Sequence, residues 1–65
     1  MTTATQSLEA ARQEEEAAWT AAEAARETHW RLNTALTQNA WHNAQDRFNL
    51  ARRARWAAEA AERNQ

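Results

Sequence analysis

The chain has 65 residues, a formal net charge of −1 at pH 7, and no glycine, proline or cysteine. Valine and isoleucine are missing too, and a compact β fold needs both turn glycines and β-branched strands, so that architecture is excluded. The near-zero charge argues against a general nucleic-acid or membrane-surface binder, and without cysteine there is no disulfide framework.

Alanine, glutamate, arginine and glutamine dominate, and all are good helix formers, so the chain reads as all-α. Hydrophobic residues make up 43% of it, but most are alanine, which adds little burial. The bulky core candidates are Leu8, Trp19, Trp30, Leu32, Leu36, Trp41, Phe48, Leu50 and Trp56. Chains of this size bury only ~60% of the surface they expose when unfolded. A core this thin predicts a homo-oligomer, most simply a dimer, or a larger protein partner. No apolar signal segment follows the N-terminus, and no apolar run nears the ~20 residues that span a bilayer. A cytoplasmic location without membrane contact is expected.

In chain order, Thr2 to Ser7 is a polar lead-in. Thr3 with Gln6 fits a capping box, and Thr5 and Ser7 are competing N-caps. Helix 1 is predicted from about residue 4 to Leu32. Ala4, Leu8, Ala11, Glu15, Ala18, Ala22, Ala25, His29 and Leu32 follow the three- and four-residue steps of a heptad seam. Arg12–Glu16 and Glu27–Arg31 sit at i,i+4 on its outer face.

The composition then shifts. Asn33, Thr34, Thr37, Gln38, Asn39, His42 and Asn43 are residues of low helix propensity whose side chains compete for the backbone. A turn is placed near residues 33–39, with Asn33 suited to the left-handed C′ position and Thr34 to capping the next helix. Helix 2 begins between Ala35 and Gln38 and runs to about Arg63. Its seam is Leu36, Trp41, Ala44, Phe48, Ala51, Arg55 and Ala58, and Glu59–Arg63 is a favourable pair near its end. The alternative to a hairpin is one continuous long helix in an antiparallel coiled-coil dimer.

Folding the chain back matches positions whose numbers sum to about 70. Ala11 then meets Ala58, Glu15 meets Arg55, Ala18 meets Ala51, Ala22 meets Phe48, Ala25 meets Ala44 and His29 meets Trp41. The one charge interrupting each seam faces its opposite, so Glu15 and Arg55 are expected to set the register. The halves agree: residues 1–33 carry six Glu and three Arg (−3), and residues 34–65 carry five Arg against Asp46, Glu59 and Glu62 (+2).

Leu8, Trp19, Trp30 and Trp41 recur every eleven residues, close to three whole turns, and so would line one flank of a helix. With Phe48 and Trp56 they form the candidate partner-binding surface, because tryptophan is the residue most enriched at interface hot spots. Two such hairpins could join into a four-helix bundle.

Catalytic machinery is not found in the sequence. With no Cys or Lys, and with Ser7 and scattered threonines as the hydroxyls, nucleophilic chemistry has few candidates. His42 and Asp46 stand at i,i+4 without the further ligands that a metal site needs. No enzyme activity, cofactor or metal is expected. Arg47, Arg52, Arg53 and Arg55 form the one basic concentration, and with Trp56 they could touch phosphate and stack a base. Arg12 is expected opposite Trp56 as a cation–π partner. The sequence therefore points to a small non-enzymatic interaction or assembly module, of a size that fits a phage- or plasmid-type accessory factor or an inhibitor of a host protein. The alternative is a helical-bundle nucleic-acid-binding regulator using the Arg47–Arg55 face.

Overall fold

A computed structural model describes residues 7–64, which form two long helices, α1 (Leu8–Leu32) and α2 (Ala35–Arg63), packed antiparallel as a hairpin. The turn rules out one continuous helix. The hairpin is 47 Å long and 18 × 14 Å across.

Helix α1 begins at Ser7, whose extended backbone lets its Oγ accept the Ala10 N–H at 3.1 Å. That bond satisfies one of the amides left without a partner at a helix start. Thr3, Thr5 and Gln6, the competing caps, lie outside the described residues, as does the expected start of helix 1 near residue 4.

The connection is shorter than the sequence suggests, consisting of Asn33 and Thr34 alone. Asn33 takes the left-handed conformation (φ 52, ψ 52), and its N–H donates to the His29 carbonyl at 2.6 Å. Outside glycine, asparagine is the residue that best tolerates this region, because its short polar side chain bonds locally. Thr34, extended again, caps α2 through a reciprocal box with Thr37. The Thr37 N–H donates to Thr34 Oγ1 at 3.1 Å, and the Thr34 N–H donates to Thr37 Oγ1 at 3.0 Å. Thr37 therefore belongs to the first turn of α2, and the 33–39 turn contracts to two residues.

The helices meet through small side chains. Ala11, Ala18, Ala22 and Ala58 are buried, Ala11 completely, and among the described residues no large side chain is fully buried. Several bulky core candidates lie elsewhere. Leu32 and Leu36 close and open the two helices at the turn, and Leu50 stands one step off the seam of α2; all three are exposed. The reason is geometric. Where alanine faces alanine the backbones approach closely and leave no room for a larger side chain, whereas Trp41 packs inward only near the turn, against His29.

Candidate interaction surface

Two pairs pin the seam. Glu15 and Arg55 are joined by an Arg55 Nε–H to Glu15 Oε1 hydrogen bond, and both side chains are mostly covered. Arg55 Nη1 also donates to Glu59 Oε2 at 2.8 Å, one turn on. The Glu15 hydrogen bond holds the Arg55 guanidinium above its ordinary pKa, the charges of Glu15 and Glu59 add to this, and partial burial opposes it. A group raised in this way contributes stability below its unfolded pKa and loses it only as pH climbs through the higher folded value. Near neutral pH the contribution of Arg55 is therefore constant.

Nearer the turn, His29 lies against Trp41 with ring centroids 5.6 Å apart. His29 Nδ1 is also 2.9 Å from Thr37 Oγ1, so one imidazole ties α1 to both the second helix and its cap. Glu15–Arg55 and His29–Trp41 each sum to 70, the register read from the sequence.

The tryptophan flank follows from this seam. Residues one step either side of a seam position point 100° to its left and right, so Trp19 and Ala17 emerge on opposite sides of Ala18. On the Trp19 side the ring packs on Phe48 at 5.2 Å, tilted by 55°. Arg52, one turn beyond Phe48, lies over that ring at 5.4 Å and over Trp56, a further turn on, at 5.2 Å. Trp19, Phe48, Arg52 and Trp56 thus make a continuous ladder in which a guanidinium alternates with rings. Arg26 adds a second stack, 4.8 Å over Trp30, while bonding Glu23 at 3.2 Å. Trp56 therefore takes its cation from Arg52 on its own helix, not from Arg12 across the seam. Neighbours at i,i+4 on one helix face need no tertiary alignment to meet.

Of the expected surface residues, Leu8, Trp41 and Phe48 are half-buried. Trp19, Trp30 and Trp56 remain 49%, 69% and 52% exposed. The eleven-residue spacing holds along α1 and is broken by the turn before Trp41, which turns inward to His29. The four arginines are dispersed. Arg55 sits in the seam, Arg52 is half-buried in the ladder, and Arg47 and Arg53 are exposed. His42 packs edge-on against Trp41, with centroids 6.1 Å apart. Among the described residues no three His, Asp or Glu side chains gather as a metal group, and no helix is long and apolar enough to cross a membrane.

The opposite flank carries a feature the sequence reading missed. A groove of about 480 Å³ runs between the helices, floored by Ala17, Ala18, Ala21, Ala51 and Ala54, with Leu50, Glu14 and Arg47 also lining it. The available signal was the run of small residues one step off the seam on both helices.

Comparison with family models, with curated proteins and with solved structures found no match.

Proposed function

We propose that this chain is a small non-enzymatic interaction or assembly module that works through its tryptophan flank, either on itself or on a larger protein. The observation that carries this reading is the contrast between core and surface. Among the described residues the four buried side chains are all alanines, while three tryptophans stand about half exposed or more on one molecule 47 Å long. Aromatic side chains left in water forgo the largest source of burial free energy the chain possesses. Their enrichment at interface hot spots makes a protein surface the natural cover. An accessory role, as an assembly factor or an inhibitor of a host protein, is consistent with so small a body.

The competing reading is a nucleic-acid interface built on Arg47, Arg52, Arg53 and Arg55. Its one supporting observation is the Arg52–Trp56 stack, which resembles a platform for a base. Against it, Arg55 is bound to two carboxylates and Arg52 lies between two rings, which leaves the basic block divided.

The test compares the wild type with a Trp19→Ser, Trp56→Ser variant whose helicity is verified by circular dichroism. Association, with itself or with a protein captured from cells, should be present in the wild type and lost in the variant. Retained association would overturn the reading. So would tight binding of a short RNA or DNA that weakens steeply with salt.

A further inference from the structure

Two observations select the occupant of the tryptophan flank, and this inference rests on that flank being an interaction surface. The first is size. A face whose outline measures 47 × 18 Å is large enough to seat the ~800 Å² of surface that each partner contributes to a standard interface. A second hairpin is the object whose own flank has the same outline.

The second observation is charge. Of the charges one step past the seam, on the side of Trp19, α1 carries Arg12 and Glu16 near its start and α2 carries Arg52 and Glu59 near its end, while Arg55 is bound in the seam and Arg47 lines the opposite groove. Two hairpins stacked flank to flank can be related by a two-fold axis along the hairpin or by one across it. An axis across it sets α1 on α1 and α2 on α2, with the turns at opposite ends. Arg12 and Glu16 then face α1 of the other copy, and Arg52 and Glu59 face its α2, so these opposite charges are kept apart. An axis along the hairpin sets α1 of each copy on α2 of the other, with both turns at the same end. Every neighbouring pair in the bundle is then antiparallel, and by the sum of about 70 Arg12 of each copy stands at the height of Glu59 of the other and Glu16 at the height of Arg52. Opposite charges matched across an interface select one arrangement over another.

We infer that the flank is covered by a second copy of this chain, packed with the two turns at the same end and α1 of each copy on α2 of the other. The two-fold keeps heights along the axis unchanged, so the sum of about 70 holds between copies as well as within one. Trp30 then falls over Trp41 of the second copy, and Trp19 falls over its Phe48 and Arg52. The ladder of rings and guanidinium closes on itself across the two-fold axis, an isologous contact that ends at two copies.

The chain contains no cysteine, so a single Ala35→Cys substitution at the exposed start of α2 gives one label per copy. Sedimentation equilibrium should show a dimer. Spin labels at Cys-substituted position 35 should then lie about 25 Å apart, the width of a bundle with helix spacings of 8–10 Å plus the label arms. Trp19→Ser in the same background should weaken self-association at least tenfold, as loss of a hot-spot ring does. A label distance of about 45 Å would overturn the arrangement, since it is the separation of turns at opposite ends of a 47 Å body. A dimer that survives Trp19→Ser but is lost on Leu50→Ser would overturn the choice of flank. A chain that stays monomeric would overturn the second copy as occupant; if it still captured a larger protein through Trp19 and Trp56, the interaction reading would stand without this inference. The distance measurement needs no flank substitution, so a variant that fails to fold leaves it decisive.

Discussion

Trp19 and Phe48 meet across the hairpin at 5.2 Å, and Phe48 is the better covered of the two. The pair joins α1 to α2 and is also the inner rung of the exposed ladder. A tilted aromatic contact of this kind contributes roughly 0.5–1.5 kcal/mol beyond the area it buries.

Phe48 should therefore matter for folding and Trp56 for association. Phe48→Ala is expected to cost about 2 kcal/mol, below the range for a fully buried ring because Phe48 is half-buried. Trp56→Ala, at the outer rung, should cost less than about 1 kcal/mol under conditions where the chain is monomeric. Urea unfolding followed by circular dichroism measures both. Equal losses would mean that the two rings do not divide these roles.

The Glu15–Arg55 pair offers a reciprocal test. Glu15→Arg places two guanidinium groups in contact and should lower the melting temperature, and Arg55→Glu should do likewise with carboxylates. Combining them restores opposite charges and should recover part of the loss. A double variant no better than the sum of the singles would show that the pair does not select the register.

Seam alanines should be intolerant of growth. Ala22→Leu forces a branched side chain between helices already in contact and should cost roughly 1–3 kcal/mol. Ala24→Leu, exposed on the same helix, should change stability by less than about 0.5 kcal/mol. Thermal unfolding of the two variants side by side decides the matter, and a tolerated Ala22→Leu would mean that the helices can separate to admit it.

At the turn, Asn33→Val should cost roughly 1–2 kcal/mol, because a β-branched residue resists positive φ. Asn33→Gly should be neutral or stabilising. Thr34→Ala should cost about 1 kcal/mol through loss of the cap. A fully tolerated Asn33→Val would show that the chain reverses by some other conformation.

Much of this architecture was legible in the residues. One charge interrupting an otherwise small-residue seam is conspicuous, and two such charges of opposite sign fix how the halves align. That is why Glu15 and Arg55 could be paired forty residues apart. Asn33 and Thr34 were legible as caps because few other residues suit those backbone conformations. The length of the turn was not legible, because Thr37 has the low propensity of a loop residue and its place in α2 depends on a hydroxyl that serves Thr34 and touches His29. The bulky core was misjudged for a related reason. Hydrophobicity says that Leu32, Leu36 and Leu50 prefer burial, but whether a hairpin alone has room for them depends on how closely its alanines let the backbones approach. Arg52 was read as one of a basic block, and its position between Phe48 and Trp56 became visible only once the i,i+4 face was built.

Because the buried part of the contact between the helices consists of alanine methyl groups, the distance separating them there is governed by main-chain bulk. Such a junction cannot swell to take in a small molecule, nor relax by swinging a side chain aside. The hairpin is accordingly a stiff strut. Its adaptability belongs to the half-uncovered rings on its flank, which can reorient to suit whatever they meet while the rod beneath them stays the same shape.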